Sequence, residues 1–483
     1  MDQLSAQDAQ FLYMETSDNH IHVTAVAVFD PSTVPGDKTV RFKQILGHIE
    51  GRLHMSPLFR RRLVRVPLEL DFPYWVDDED FDLEYHVQHG RLPEPGDWRQ
   101  FCIHLARFHA RPLDMSRPLW EMLVVEGLDR IDGLPEGCYA VVTKLHHAAA
   151  DGASIMHFYR ALMDVDNMGT PVVPPDSMPD RRSPKPGFLQ MAARAGFNTL
   201  RSPIGMTDAV MRSAPALYKW AQQALSTRTE PSEKTPVPDT RFNCNASPHK
   251  MFDAVTFELD DLKRVRKAVP GCTINDVVLC ICGGALRTYL QHHEELPTES
   301  LVAWVPINAR PSQLTDTESP GNRIASMTTQ IFTNVEDPSA RLRQIVASTQ
   351  KSKEARAGVS ARLMTDLSQH VPAATLVTVG RLVMRAGMAA NICNLFISNV
   401  PGPQQPLYMN GAQQILTYVM TPLADGMGLL IGTPSYNGTI SFNVTSTRET
   451  MPDIEFFVDC IRDSLAELLK ATRPKKRRRT TVN

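Results

Sequence analysis

A β-rich run that leads directly into a pair of histidines constrains the fold of this chain more than any other feature. Residues Cys138 to Leu145 read CYAVVTKL, His146 and His147 follow at once, and Asp151 and Gly152 lie four and five residues after His147. A run of this composition is typical of a strand, and a carboxylate beside the first turn is typical of a helix start. The sequence therefore predicts that both histidines stand at the end of a strand, in a turn that opens a helix.

A histidine in such a position suits proton transfer. Its unperturbed pKa of about 6.5 lets the side chain take up and return a proton near neutral pH. A neutral His147 can deprotonate an incoming hydroxyl or amine and return the proton to a departing thiolate. The sequence contains no G-x-S-x-G nucleophile motif and no glycine loop of Walker or Rossmann spacing. The pattern favours acyl transfer by general-base catalysis without a covalent enzyme intermediate, although a histidine pair in a strand–turn is often purely structural.

Two proline-rich breaks divide the chain. Pro171 to Gly187 contains six prolines and Ser226 to Asn245 contains three. Proline lacks an amide donor and restricts the residue before it, so these stretches are predicted to be stiff linkers. We predict an N-terminal domain over residues 1–170, linkers with a basic amphipathic helical segment over residues 171–246, a C-terminal domain over residues 247–470, and a disordered basic tail over residues 471–483.

Both large halves are predicted to mix strands and helices. Alternating or β-branched runs predict strands, and apolar residues at helical spacing predict helices. The predicted helices are Arg41 to Leu53, Ala153 to Met163 and Thr273 to Leu290; the predicted strands, besides the histidine strand, are His22 to Phe29, Ala254 to Leu259, Leu301 to Ile307, Leu395 to Val400 and Thr439 to Val444. Two α/β halves of similar size predict a cleft between them.

Bulk composition excludes several classes of protein. The formal net charge of -2 gives no reason to expect a nucleic-acid partner. The longest apolar run, Val277 to Leu286, is half of the roughly 20 residues that span a bilayer, and the N-terminus lacks the pattern of a secretory signal. The eight cysteines show no zinc-ligand spacing, so no metal is expected. We therefore expect a cytoplasmic protein.

Two basic stretches bear on the partners of the chain. Phe188 to Leu225 interleaves bases with apolar residues, and Lys470 to Arg479 holds seven bases and no acid. The first is either a set of packed helices with a solvated basic face or a patch for a lipid surface. The second is typical of a disordered tail, and attraction to anionic lipid would make it a peripheral anchor.

Five short motifs occur in order along the chain. They are Leu4 to Leu12 (LSAQDAQFL), Pro118-Leu119-Trp120, His146 to Gly152 (HHAAADG), Asn275-Asp276 and Ser398 to Pro403 (SNVPGP). With this ordered set the chain resembles the bacterial wax ester synthase/acyl-CoA:diacylglycerol acyltransferases. That family belongs to the wider HHxxxDG acyltransferases, which include chloramphenicol acetyltransferase and peptide-synthetase condensation domains. The HHxxxDG motif marks only the wider group, and the other motifs point to the family.

The resemblance implies an α/β fold of two chloramphenicol-acetyltransferase-like, or condensation-domain-like, mixed-sheet domains with a central cleft or tunnel. It also implies transfer of a long acyl chain from acyl-CoA, as a co-substrate, to the hydroxyl of diacylglycerol, with fatty alcohol as a further acceptor. The products are triacylglycerol or wax ester, and no other cofactor is expected. The implied partners are these substrates and, peripherally, a membrane or the surface of a lipid inclusion.

The resemblance also implies roles for individual residues of the histidine motif. His147 would be the general base and His146 would support its loop. Asp151 would be structural, paired with an arginine, and Gly152 would permit a close backbone approach.

Outside that motif, the resemblance implies residues that shape the substrate site. Asn275 and Asp276 would shape it from across the cleft, as would Asn399 in the later motif. Pro118, Leu119 and Trp120 would pack beside the acyl channel. Asn308 stands where many relatives have serine, and this departs from the pattern of the family.

Two alternatives stay open on the sequence alone. The first is an acyltransferase of the same fold with another lipid alcohol or an amine as acceptor, because one base serves either nucleophile. The second is a non-catalytic protein of lipid-inclusion surfaces, which the basic stretches would suit.

Overall fold

The computed structural model describes most of the two large halves of the chain. The described residues are 2–36, 38–67, 70–149, 158–169, 187, 190, 191, 193, 194, 237–308, 324–356 and 392–473. Most of the basic segment over residues 188–225 and the tail beyond residue 473 therefore lie outside the described residues, and their predicted structure stays a prediction.

Fifteen strands are defined within the described residues. They are β1 (Asp2–Gln3), β2 (His22–Asp30), β3 (Arg61–Val64), β4 (Tyr74–Asp77), β5 (Val87–Arg91), β6 (Trp120–Glu126), β7 (Tyr139–His146), β8 (Lys250–Glu258), β9 (Val302–Asn308), β10 (Ile324–Gln330), β11 (Leu395–Pro401), β12 (Tyr408–Met409), β13 (Ala412–Met420), β14 (Leu429–Tyr436) and β15 (Thr439–Thr447).

Eight α-helices are bounded within the same residues. They are α1 (Ala6–Tyr13), α2 (Phe42–Glu50), α3 (Leu83–His86), α4 (Trp98–Ala110), α5 (Leu259–Lys267), α6 (Ile274–His292), α7 (Pro338–Arg356) and α8 (Ile454–Ala471). Residues 158–162, inside the predicted helix Ala153 to Met163, are also helical. In this described part of the chain, no helix is long and apolar enough to cross a membrane.

The histidine strand lies inside a six-stranded sheet, here called the N-terminal sheet. Its order is β12-β13-β2-β7-β6-β5, with every neighbouring pair antiparallel except β5 and β6. Helix α2 covers one face, where Ile45 packs with Val141. Helix α4 covers the other, where Phe101 packs with Val142. Burial on both faces explains why β7 reads as an almost continuous apolar run.

The second six-stranded sheet, here called the C-terminal sheet, has the order β10-β9-β11-β14-β15-β8. Strand β11 runs parallel to β9 and β14, and the other pairs are antiparallel. Residues of α5, α6, α7 and α8 cover one face in the largest apolar cluster of the described structure. The expectation of two mixed-sheet halves is thus confirmed. The predicted strand Ala254 to Leu259 is displaced, since the strand begins at Lys250 and Leu259 opens α5.

Strand β13 contacts both halves of the protein. Residues of β12 and β13, late in the sequence, belong to the N-terminal sheet, and β13 pairs with β2 from Gln413 opposite Asp30 to Met420 opposite Thr24. The same strand contacts the C-terminal sheet, where the hydroxyl of Ser441 donates to the carbonyl of Thr417 at 2.9 Å. The two halves therefore cannot separate without breaking a long hydrogen-bond ladder.

Helix α1 packs against the histidine loop, residues 146–149, and follows a strand of a small third sheet. This sheet has the order β1-β4-β3. The side chain of Ser5 caps the helix by accepting from the amide of Asp8 at 3.0 Å. Leu12 then packs with Leu119 and Ala148 in one buried cluster. The predicted opening motif therefore forms a wall of the histidine loop.

Helix α6 passes very close to the backbone of Ile331 and to Ser464 of α8. Gly283 and Gly284 are fully buried in it. A side-chain carbon added at Gly283 would overlap the carbonyl oxygen of Ile331, and one added at Gly284 would overlap the hydroxyl of Ser464. Glycine is needed here for close approach rather than for an unusual backbone angle.

We predict that Gly283→Ala lowers the free energy of unfolding by about 1–3 kcal/mol, because a backbone carbonyl cannot move aside as a flexible side chain can. Gly47→Ala in α2 is the matched control. A side-chain carbon there meets no atom within 4 Å, so this substitution should add roughly 0.5–1 kcal/mol through helix propensity. Urea unfolding measures both, and equal effects of the two substitutions would contradict the close crossing.

Candidate active site

The histidine loop is fixed by backbone hydrogen bonds at the end of β7. The amide of His146 donates to the carbonyl of Leu119 at 3.0 Å, and the amide of His147 donates to the carbonyl of Ile21 at 2.9 Å. The chain then turns, with the amide of Ala149 donating to the carbonyl of His146 at 2.9 Å. Both histidines are thus held at the strand end that the sequence predicts.

The two imidazoles have different surroundings. His146 is fully buried, and its Nδ1 accepts from the amide of Ala148 at 3.0 Å. A backbone amide can only donate, so the ring proton of neutral His146 lies on Nε2. His147 is partly exposed, and its ring stacks on Phe11 of α1 with centroids 4.1 Å apart. Of the two histidines, His147 is therefore the less buried.

Glu15 joins the loop to the residues that precede β2. Its Oε1 lies 3.6 Å from Nε2 of His146 and 3.4 Å from Nδ1 of His20, and it accepts from the amide of Ile21 at 3.3 Å. Burial acts to raise the pKa of Glu15, but the interactions with His146 and His20 outweigh burial and hold the pKa well below its usual range. An ionised Glu15 therefore anchors His146.

Sequence reasoning missed Glu15. The available signal was an acid three residues after the opening motif, followed by histidines at positions 20 and 22. That signal does not reveal the contact with His146, which depends on how the chain turns between α1 and β2.

The Pro118-Leu119-Trp120 motif supports the histidine strand from its neighbour. Leu119 provides the carbonyl for His146, and Trp120 lies opposite Leu145 in the β6–β7 ladder. Trp120 is fully buried, and its indole donates to the carbonyl of Phe59 at 3.0 Å. Its ring stacks on His86 with centroids 4.5 Å apart. The described contacts give the motif a structural role, and its place beside an acyl channel stays a prediction.

The residues predicted to act from across the cleft have distinct environments. Asp276 is buried, and its Oδ2 accepts from the amide of Thr273 at 2.8 Å, while its Oδ1 accepts from the hydroxyl of Thr349 at 2.7 Å. Thr273 in turn caps α6, so Asp276 stabilises the start of the helix that carries the partly exposed Asn275.

Asn399, in the later motif, lies in β11 opposite Thr433 of β14. It is partly exposed near the end of that strand. A site-shaping role for Asn275, Asp276 and Asn399 stays a prediction. Asp151 and Gly152, the remaining residues of the histidine motif, lie outside the described residues.

A buried lysine, Lys144, lies two residues before His146 on β7. Nζ of Lys144 donates to the carbonyls of Phe108 at 3.2 Å and Arg111 at 3.0 Å, and it pairs with Glu121 at 3.1 Å. These carbonyls belong to the C-terminal end of α4, where backbone acceptors lack helical partners and the dipole favours a cation. Lys144 therefore fastens α4 to the histidine strand, a role that the sequence did not indicate.

Two neutral histidines, His22 and His109, lie near Lys144 and form with it a buried polar layer behind the histidine loop. His22 lies opposite His146 in the β2–β7 ladder, and its Nε2 bonds the carbonyl of His109 at 2.5 Å. Nδ1 of His109 bonds the hydroxyl of Thr24 at 2.8 Å. Burial lowers the pKa of His22 well below its usual value and lowers the pKa of His109 to about 3. The layer behind the loop is thus uncharged at these histidines and rigidly bonded.

No group of three or more His, Cys, Asp or Glu side chains is arranged to hold a metal ion within the part of the chain that the structure describes.

We predict that Glu15→Gln weakens the fold in a pH-dependent way. Because the pKa of Glu15 is lower in the folded state than its ordinary value of 4.5, its stabilisation is present above pH 4.5 and is lost as the pH falls through the folded value. At pH 7 the substitution should cost roughly 1.5–3 kcal/mol of unfolding free energy, the usual range for a hydrogen bond to a charged group.

Urea unfolding at pH 7 and at several acidic pH values measures this difference. The loss of stability on acidification should be shallower in Glu15→Gln than in the natural protein. Glu50→Gln, which removes an exposed carboxylate on α2, should keep the natural pH dependence. A wild-type acid dependence in Glu15→Gln would exclude the anchoring role.

Comparison with known proteins identifies the family of the chain. The sequence-family model of the wax ester synthase/diacylglycerol acyltransferase catalytic domain matches residues 4–278. The family model of the WS/DGAT C-terminal domain matches residues 320–469. A putative diacylglycerol O-acyltransferase of Mycobacterium tuberculosis is 31% identical over 481 residues, covering 98% of this chain and 91% of the relative. Another from the same organism is 33% identical over 475 residues, covering 97% and 99%.

Solved structures agree with the sequence comparison. The wax ester synthase/diacylglycerol acyltransferase of Marinobacter aquaeolei VT8 superposes with a TM-score of 0.69 at 26% identity, covering 98% of this chain and all of that one. The starter condensation domain of rhizomide synthetase, at 11% identity, has a TM-score of 0.54 and shares the fold. The expected two-domain, condensation-like fold is confirmed. The chain belongs to the wax ester synthase/diacylglycerol acyltransferase family and is an O-acyltransferase.

Proposed function

We propose that this O-acyltransferase moves a long acyl chain from acyl-CoA to the hydroxyl of diacylglycerol, with fatty alcohol as a further acceptor, and that His147 is its general base. The observation that carries the proposal is the contrast between the two histidines. His146 is fully buried with Nδ1 occupied by a backbone amide, whereas His147 is partly exposed against Phe11. The accessible ring is the one available for chemistry.

The proposed reaction is a single proton-assisted transfer. Neutral His147 takes the proton of the acceptor hydroxyl as the oxygen attacks the thioester carbonyl. The tetrahedral intermediate then collapses, the carbon–sulfur bond breaks, and His147 returns the proton to the thiolate of CoA. The products are the ester and free CoA, and His147 ends neutral, so no covalent intermediate with the protein is required.

The residues around His147 hold the ring rather than react. The amide of His147 is fixed on the carbonyl of Ile21, and Phe11 limits rotation of the ring. Glu15 and His146 fix the preceding residue. Such positioning matters because a misplacement of about 1 Å can cost roughly 100-fold in rate. We assign Asp151 and Gly152 to the support of this loop, and Asn275, Asp276 and Asn399 to the shape of the opposite wall.

The choice of acceptor rests on the relatives. The mycobacterial relatives are named diacylglycerol O-acyltransferases, and the family name adds wax ester synthesis. We therefore propose diacylglycerol as the main acceptor and fatty alcohol as the second. Because both products are insoluble lipids, we also propose that the protein works at the surface of a membrane or lipid inclusion, with the basic stretches facing that surface.

We predict that His147→Ala lowers kcat by roughly 10²–10⁴-fold and changes KM by only a few-fold, because it removes the base and little binding surface. Release of CoA from long-chain acyl-CoA in the presence of diacylglycerol measures both constants. His292→Ala, at the exposed end of α6, should keep natural kinetics. Full activity of His147→Ala would rule out the assigned base.

We predict that diacylglycerol outcompetes hexadecanol when both are offered with labelled acyl-CoA in mixed micelles. The label should appear mainly in triacylglycerol, with wax ester as the minor product, as resolved by thin-layer chromatography or mass spectrometry. Label found only in wax ester, or only in an amide formed from an added amine, would contradict the proposed acceptor while leaving acyl transfer itself intact.

A further inference from the structure

The loop between α1 and β2, residues 14–21, touches the histidine motif at two points. Glu15 lies against His146, and the carbonyl of Ile21 accepts the amide of His147 at 2.9 Å. A shift of this loop therefore moves the backbone of His147 directly. We call residues 14–21 the anchoring loop.

The tip of the anchoring loop is bound to the other half of the protein. Asn19 is only 2% exposed. Its side-chain amide donates to the carbonyl of Leu423, which follows β13, and its Oδ1 accepts from Nζ of Lys250, the first residue of β8, at 3.2 Å. One amide thus reaches two separate segments of the C-terminal half.

The tip is also closed on itself. The amide of Asn19 donates to the hydroxyl of Thr16 at 3.1 Å, and the amide of Thr16 donates to the carbonyl of Asn19 at 3.0 Å. Because these two hydrogen bonds close the turn, a displacement of Asn19 is expected to move both ends of the anchoring loop. A buried amide without hydrogen-bond partners is destabilised by the full free energy of its desolvation. The contacts of Asn19 therefore strongly favour one position of the loop.

Lys250 is partly buried and is surrounded by other charged groups. The titratable and charged groups that face it are Asp18 on the loop, Asp425 after β13, Glu449 after β15 and His109 at the end of α4. Burial lowers the pKa of Lys250 to about 8, against the opposing effect of the three carboxylates. The charge of Lys250 therefore changes within an experimentally accessible range of pH.

We propose that Asn19 and Lys250 are positioning residues that couple the C-terminal half of the protein to the catalytic histidine through the anchoring loop. This proposal rests on the proposed role of His147. The side chain of Asn19 is held between the carbonyl of Leu423 and Nζ of Lys250, and the anchoring loop thereby sets His147 for proton transfer. Neither residue touches the reacting atoms.

Two variants remove the coupling in different ways. Asn19→Ala deletes both contacts, and Lys250→Met deletes the cation while keeping most of the side-chain length. We expect each to lower kcat by about 10–100-fold with KM changed by less than about threefold, because the base is misplaced while substrate binding is kept. Lys250→Arg restores a cation and should recover at least half of the natural kcat.

The pH profile separates positioning from general stability. In the natural protein, kcat should fall as the pH rises through about 8, because Lys250 loses its charge and its strong bond to Asn19. In Lys250→Arg the cation persists, so this alkaline decline should vanish. Lys250→Met should show a low kcat without the decline.

Matched controls exclude a general loss of folding. Asn394→Ala removes a fully buried amide that binds the carbonyl of Pro238 at 2.6 Å. Lys263→Met removes a surface lysine paired with Asp260. Both should keep the natural pH profile and the natural ratio of kcat to KM.

A second measurement does not depend on turnover. The rate at which diethylpyrocarbonate modifies His147 in the full-length protein, resolved by peptide mass spectrometry, should rise in Asn19→Ala and stay unchanged in Asn394→Ala. The proposal is overturned if Asn19→Ala and Lys250→Met keep natural kcat and modification rates, or if the controls lose kcat equally. If His147→Ala remains fully active, the proposed function fails, and the modification rate still decides whether Asn19 holds the loop.

Discussion

The hydrogen-bond ladder of β7 is the constraint on which the rest of the site depends. This strand pairs with β2 along its whole length and with β6 from Ala140 to Leu145. At its end, the amides of His146 and His147 donate to the carbonyls of the residues that directly precede β6 and β2. Backbone bonds of this kind leave little freedom in the direction of the side chains that follow. The ring of His147 is thereby placed at a fixed point before any side-chain interaction is considered.

The side chains around the histidine loop differ in burial and in charge. On the α4 side, Lys144 binds the carbonyl end of α4, and His22 and His109 remain neutral because burial disfavours their charge. Glu15 is kept ionised by the histidines beside it. A polar layer fixed by hydrogen bonds to α4 and β2 therefore lies behind the less buried ring of His147.

The sequence was a good guide to what is local. The run from Cys138 to Leu145 predicted β7 within one residue, and the pattern from Thr273 to Leu290 predicted α6, because burial periodicity and capping act over neighbouring residues. The pairing of β13 with β2 was not predictable, since it joins residues nearly 400 positions apart and no local pattern specifies which strand pairs with which. Glu15 was missed for a related reason, because its partners meet only after the turn before β2 is formed.

A structure of the protein with an unreactive acyl-CoA analogue and diacylglycerol bound tests the role of His147 most directly. A hydroxyl of diacylglycerol is expected within about 3 Å of a ring nitrogen of His147, the usual reach of a general base, and beside the carbonyl of the analogue. His146 is expected to remain against Glu15, without contact to either substrate. A bound pair of substrates whose reacting atoms face another side chain, with His147 out of reach, would contradict the assignment.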